Sequence, residues 1–285
     1  MTVEGPILIT GARGILGSAF MTRLPEAIGL GRGDLDAGAP ETVVREVAAR
    51  QPSLIINCAA DTDVEGAESD DARAIAVNVT LAAALAKAAT DSGAGFVHFS
   101  STGCYGTYKS MPYEESDPLR PTTAHHRSKA LGEEAVLKAH PGAAILRLGW
   151  VFGGAPGQRK NFVWARLREA EGKAVIGSDP TQIGSPTSAA DVVTQVVHLL
   201  AQERGGGAFN CVGNGPSGSR LDYVAAILAT AGSPARVEAA SFTRRAAVSS
   251  NEAAVNARLQ QMGLDIMRPW REALQDCVLG LKASL

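Results

Sequence analysis

Apolar positions along the chain fall into two alternating rhythms. Short continuous runs, PILIT at 6–10, IGLG at 28–31, SLIINCAA at 53–60 and FVHFSS at 96–101, read as strands buried on both faces. Between them lie Ala-rich amphipathic segments, GSAFMTRL at 17–24, TVVREVAAR at 42–50 and VTLAAALAKAAT at 79–90, with helical spacing. Strand–helix alternation of this kind predicts a parallel sheet covered by helices on both faces. AAILRLGWVFG from Ala143 supplies another buried strand and GAFNCVG from Gly207 a later one.

After Gly153 the rhythm loosens. Loops such as GGAPGQRK, GSDPTQIGSPTS and GNGPSGSR separate shorter helical stretches, FVWARLREAEG and LDYVAAILATAG. The expected organisation is a nucleotide-binding domain over 1–150, a smaller portion over 151–184 and 213–285, and a return of 185–212, including the amphipathic DVVTQVVHLLAQE, to the first domain. No internal repeat or low-complexity linker interrupts it.

With 285 residues and 45% hydrophobic content the chain can bury a full α/β core. A formal charge of −2 gives no electrostatic reason to expect nucleic acid or an anionic membrane as partner. No apolar run is expected to reach the roughly 18 residues of a membrane span, and MTVEGPILIT has no basic region before a cleavage site, so a cytoplasmic location is expected. Cys58, Cys104, Cys211 and Cys277 are scattered, suggesting buried thiols and neither a disulfide framework nor a metal site.

The first chemistry sits directly after the first strand, in Thr10-Gly11-Ala12-Arg13-Gly14-Ile15-Leu16-Gly17, which opens a helix. Gly11 permits a tight turn, Gly14 lets backbone approach a pyrophosphate and Gly17 allows close helix packing, so the phosphates would sit on the helix N-terminus. Where an NAD site would present an acidic residue at the end of the second strand, Gly31 and Arg32 stand instead. Arg32 and Arg13 would welcome a 2′-phosphate, favouring NADPH over NADH, with Asp34 and Leu35 beside the adenine.

Several blocks in order then resemble the extended short-chain dehydrogenase/reductase family, and within it the dTDP-4-dehydrorhamnose reductase branch. INCAADTDVEGAE from Ile56 is similar to the family's INAAAYTAVDKAE, and FVHFSSTGCYG to its STDYVF strand. PYEESDPLRPTTAHHRSKALGE follows PYxExDxxxPxxxYGxTKLxGE. ILRLGWVFGG, NFVWARLREA, DPTQIGSPTSAADV and MRPWREAL match blocks of the second half.

The resemblance implies a Rossmann-type doubly wound sheet with a smaller C-terminal α/β portion over the substrate. It also implies NADPH-dependent reduction of a nucleoside-diphosphate-linked 4-keto-6-deoxy sugar. On that pattern Ser101 polarises the ketone, His125 takes the place of the proton-donating tyrosine, and Lys129 holds the nicotinamide ribose. Cys58, Ala59, Ala60 and Asn78 join the cofactor residues, while Thr62, Val64, Thr102, Gly103, Trp150, Asn161 and Gln182 fall on the sugar-nucleotide side. Trp150 equally suits a core, and Asn161 and Gln182 suit helix caps.

The departures cluster at the reacting centre. His125 replaces tyrosine, His126 replaces the next glycine, Thr102 and Gly103 replace Asp-Tyr, and Asp61 replaces the tyrosine of AAYT. A histidine with reference pKa about 6.5 is a legitimate acid near neutrality. Lys129, one helical turn away, disfavours its cationic form, and the ring reaches roughly 2 Å less far than a phenol, where a displacement of about 1 Å can cost ~10²-fold. A water could fill the gap, the substrate could sit deeper, or Tyr105, Tyr108 or a residue from elsewhere could supply the proton. A cofactor-binding or regulatory protein that has lost the chemistry, or a sugar-nucleotide epimerase, are the competing readings. A homodimer is the assembly to test, since nothing in the sequence sets the oligomeric state.

Overall fold

The computed structural model describes residues 5–202 and 206–283. Its centre is a parallel sheet of six strands, β1 (Ile7–Thr10), β2 (Ile28–Leu30), β3 (Leu54–Asn57), β4 (Gly95–Ser101), β5 (Ala144–Leu148) and the strand Gly207–Cys211. Their spatial order places Gly207–Cys211 at one edge, followed by β5, β4, β3, β1 and β2. Every residue of β3 and β5 is buried, because helices cover both faces.

On one face, Ile9, Ile56, Phe99 and Leu146 pack with Phe20 of helix α1 (Ile15–Arg23) and with Val192 and Val196 of the helix Ala189–Ala201. On the other, Leu8, Ile55 and Ile145 pack under Val43 and Val47 of α2 (Pro40–Ala48), Leu85 of Ala82–Ser92 and Val136 of Ala124–Ala139. The strand order reverses at β1, which lies between β2 and β3. Crevices at the carboxyl ends of strands flanking such a reversal are where these sheets take ligands.

One expectation is corrected. Ala72–Ser92 forms 21 residues of helix with hydropathy 1.3, long and apolar enough by composition to cross a membrane. The run is hidden in the sequence because Arg73, Asn78 and Lys87 interrupt it. It packs between helices α2 and Ala124–Ala139, with Leu81, Leu85, Ala86 and Ala88 buried in the core. Its middle turn, Ala76–Leu81, is π-helical.

The remaining elements form a second core. The strands Trp150–Phe152 and Pro186–Ser188 pair in parallel, as do Val175–Ser178 and Arg236–Ala239. Helices Phe162–Ala170, Arg220–Ala231 and Trp270–Lys282 close round Tyr223, whose ring stacks on Phe162 at 5.3 Å and meets Trp270 edge-on at 6.0 Å. A capping box of Ser219 and Asp222 starts the Arg220 helix.

The segment 240–255 has almost no regular structure, yet it is pinned along its length. Glu65 accepts from the backbone N–H groups of Arg245 and Ala246, Thr122 donates to the Ala247 carbonyl, and Asn251 donates to the carbonyls of Lys109 and Met111. This strap lies across the seam between the two cores.

Candidate active site

The glycine loop follows β1 as the sequence requires. Gly11 has φ +61°, and a Cβ there would come within 2.7 Å of the Cys58 carbonyl group at the end of β3. A side chain at Gly17 would strike the Gly11 carbonyl oxygen. Helix α1 begins at Gly14 with no side-chain cap and no acidic residue in its first turn, so its free N–H groups suit an anionic pyrophosphate. The Arg13 guanidinium lies over Gly31, where an added Cβ would sit 2.9 Å from it. Asp34 accepts from the Gly31 N–H at 2.7 Å, and Arg32, Asp34 and Leu35 line one cavity of about 370 Å³.

Behind the loop, polar residues tie the strand ends together. Thr10 donates to Asn57 at 2.7 Å, Asn57 donates to His98 Nδ1 at 3.0 Å, and the Ala59 N–H is given to Thr10 and Asn57. Asn78, in the π-helical turn, accepts from the Asp61 N–H and donates both to the Asp61 carbonyl and to Ser128. It therefore fixes the Cys58–Ala59–Ala60 turn against the helix that carries Lys129. Burial pushes the Cys58 thiol up, so that group stays protonated.

Thr123 caps Ala124–Ala139, its hydroxyl accepting from the His126 N–H at 3.1 Å. Lys129 is buried, and its ammonium donates to the Phe99 carbonyl of β4, two residues before Ser101. Desolvation lowers its pKa to about 8, opposed by the nearby Cys104, Glu133 and Cys58. Ser101 accepts from the Gly103 N–H at 3.1 Å, so its own hydroxyl proton remains available to a ketone. His125 and Lys129, one turn apart on this helix, are both buried where it packs on β4 and on the turn Thr102–Tyr105 that follows Ser101.

His125 is 6% exposed, and its Nδ1 is buried without a hydrogen-bond partner among the described residues. Burial, with His126, Lys129 and Lys160 adding positive charge, pushes its pKa down to about 3. At neutral pH the ring is uncharged, able to give a hydrogen bond but a weak proton source. The two tyrosines are removed as replacements. Tyr105 is fully buried, donates to Asn210 at 2.7 Å and accepts from Arg147; burial pushes its pKa up to about 12. Tyr108 donates to the Pro118 carbonyl.

Trp150 and Gln182, expected on the sugar-nucleotide side, come together, both bound to a residue the sequence reading missed. The buried Glu252 carboxylate accepts from Trp150 Nε1 at 2.7 Å and from Gln182 at 3.5 Å. Arg220, also missed, lies 3.6 Å above the Trp150 ring and donates to Gln182 Oε1. Beyond them a cavity of about 300 Å³ is lined by Phe162, Phe242, Gln182 and three guanidinium groups, Arg166, Arg220 and Arg244. That composition suits a stacked base with a pyrophosphate.

Thr62 accepts from Lys160, whose φ of +73° is unusual for a residue with a side chain. Val64 opens the short helix Val64–Ala67, and Asp61 is held by Arg73 at 2.7 Å. Thr102 is buried with its hydroxyl unpartnered among the described residues. Asn161 is consumed by the chain itself, capping Phe162–Ala170 and donating to the carbonyls of Gly154 and Ala155. It shapes the loop that reaches the cofactor site through Gln158, which donates to the Arg13 carbonyl.

Comparison with known proteins follows this geometry. The family described as RmlD substrate binding domain matches residues 5–282. A dTDP-4-dehydrorhamnose reductase of Mycobacterium tuberculosis is 35% identical over 280 residues, covering 94% of this chain and 90% of that protein. A probable dTDP-4,6-dihydroxy-2-methyloxan-3-one 4-ketoreductase of Streptomyces antibioticus is 32% identical, covering 97% and 96%. The crystal structure of a Bacillus anthracis dTDP-4-dehydrorhamnose reductase in complex with NADP superposes with TM-score 0.90 at 26% identity, covering 97% of this chain and 99% of that one.

Proposed function

Because this chain belongs to the RmlD substrate binding domain family, we propose that it is an NADPH-dependent reductase of a dTDP-linked 4-keto-6-deoxy sugar. The observation that carries this reading is the buried Lys129, its ammonium tied to the Phe99 carbonyl of β4 two residues before Ser101. A dinucleotide and a sugar nucleotide would meet at that point.

The residues fit the cofactor. Gly11 lets the loop turn tightly against the Cys58–Ala59 peptide, the N-terminus of α1 is free for the pyrophosphate, and Arg13 and Arg32 suit a 2′-phosphate. When bound, NADPH supplies the hydride. Lys129 holds the ribose beside it, and its ammonium lowers the cost of negative charge developing on the carbonyl oxygen. Ser101 donates its free hydroxyl proton to the same oxygen as a hydrogen bond. His125, neutral, lines the face where the family places a tyrosine. Arg166, Arg220 and Arg244 hold the diphosphate, and Glu252 fixes Trp150 and Gln182 at the sugar.

Purified protein with NADPH and a dTDP-4-keto-6-deoxy sugar is expected to consume nicotinamide absorbance and yield the 6-deoxy alcohol. No consumption between about pH 5.5 and 8 refutes the reading. The neutral His125 favours one second reading, a cofactor-binding protein without reductase chemistry. That reading predicts thermal stabilisation by NADPH with no turnover.

A further inference from the structure

We propose that the loop 154–161 is a clasp over the dinucleotide, held shut by Gln158 and Lys160, so that NADPH enters and leaves only when these two side chains let go. The inference rests on the cofactor assignment within the reductase reading above and concerns how that cofactor is retained.

The loop belongs to the second core, between the strand Trp150–Phe152 and the helix Phe162–Ala170. It is a closed body. At its base Asn161 donates to the carbonyls of Gly154 and Ala155, and within it the Gln158 N–H is given to the Ala155 carbonyl and the Asn161 N–H to the Gln158 carbonyl. The chain turns into this body through Gly153 and Gly154, at φ of +125° and +89°, where a side chain would be strained.

Where the loop meets the first core, it does so at the carboxyl ends of the strands. The Gly154 backbone lies against Ile15, the first residue of α1, and a Cβ added there would come within 3.3 Å of the Ile15 side chain. Gln158 Nε2 donates to the Arg13 carbonyl at 3.0 Å. Lys160 Nζ donates to Thr62 Oγ1 at 2.5 Å. Arg13 follows β1 and Thr62 follows β3, and these two strands are paired neighbours. One anchor is therefore at the N-terminus of α1, where a pyrophosphate would sit. The other is beside Asp61, which Asn78 ties to Ser128, the residue before Lys129. A dinucleotide reaching from α1 to Lys129 passes between the two anchors and beneath the loop.

The clasp is also built to open. Residues 155–157 and 159–160 are exposed, and among the described residues the bonds of Gln158 and Lys160 are the only hydrogen bonds from the loop to the first core. An exposed segment with so few bonds to break opens more readily than the cores on either side. Lys160 keeps φ at +73°, a conformation that persists in a residue with a side chain only where its surroundings impose it. Here it is fixed between the helix cap at Asn161 and the bond to Thr62.

The test follows NADPH binding and release by stopped-flow nicotinamide fluorescence, without sugar, in the natural protein, Gln158→Ala, Lys160→Met and the double variant. A clasp opposes entry as much as exit. The double variant is expected to raise the association and dissociation rate constants together, each at least about tenfold, because two such bonds, one from an ammonium, amount to a factor of about ten or more. Kd is expected to change less than about threefold, and each single variant to fall between the natural protein and the double variant. Rates that do not move overturn the proposal. A dissociation rate that rises alone also overturns it, because Gln158 and Lys160 would then be ordinary ligand contacts. If the natural protein itself binds no NADPH, the cofactor assignment falls and the clasp with it. Binding without sugar turnover refutes only the reductase reading and leaves the rates to decide the clasp.

Discussion

The depressed pKa of His125 makes stability a direct readout of its environment. In the folded chain burial holds the ring's pKa down at about 3, against about 6.5 for a free imidazole. Between those values the unfolded chain binds the extra proton, so stability falls as pH falls. By pH 5 the ring's contribution is (6.5 − 5) × 1.36, or about 2 kcal/mol, against about 0.2 kcal/mol at pH 7. Urea denaturation of the natural protein and His125→Gln at pH 7 and pH 5 isolates this, because carboxylates and the other histidines are common to both. The variant is expected to lose about 2 kcal/mol less on acidification. Equal losses would mean that His125 titrates as a solvated histidine, and the argument against it as a poor acid would fail with it.

Glu133 and Arg147 form a buried bidentate pair with N–O distances of 2.8 to 3.1 Å, and Arg147 also donates to Tyr105. Glu133→Ala leaves the guanidinium buried and unpaired and is expected to cost about 3–5 kcal/mol in chemical denaturation. Gly11→Ala imposes a left-handed alanine, about 1–2 kcal/mol, and pushes the Cys58–Ala59 peptide out of place, so NADPH affinity by fluorescence titration should fall at least about tenfold. Gly280→Ala, on the exposed face of Trp270–Lys282 with open space around it, is expected to stabilise by about 0.5–1 kcal/mol without changing turnover.

The parallel sheet was legible because strands buried on both faces write themselves as unbroken apolar runs, as LIIN and AILRL do. The cofactor loop was legible because strand, glycines and helix adjoin in sequence. Lys129 stood out by its spacing from His125 and the flanking SKALGE, and the structure buries it. Glu252 and Arg220 were missed because their meaning lies in partners far along the chain, Trp150 and Gln182, and the strap carrying Glu252 has no period to betray it. The Gly103 and His126 exchange is visible as two separate substitutions in the sequence and as one packing contact only in space. Asn161 shows the reverse, a residue whose loop position suits a ligand but whose amide the chain itself uses.

Reduction at the Lys129 site is tested most directly with NADPH carrying deuterium at its transferable position, the purified natural protein and a dTDP-4-keto-6-deoxy sugar, analysed by mass spectrometry. Loss of nicotinamide absorbance matched by a product one deuterium heavier at the carbinol carbon is the result expected. Bound NADPH with neither absorbance loss nor label in the sugar would contradict the account.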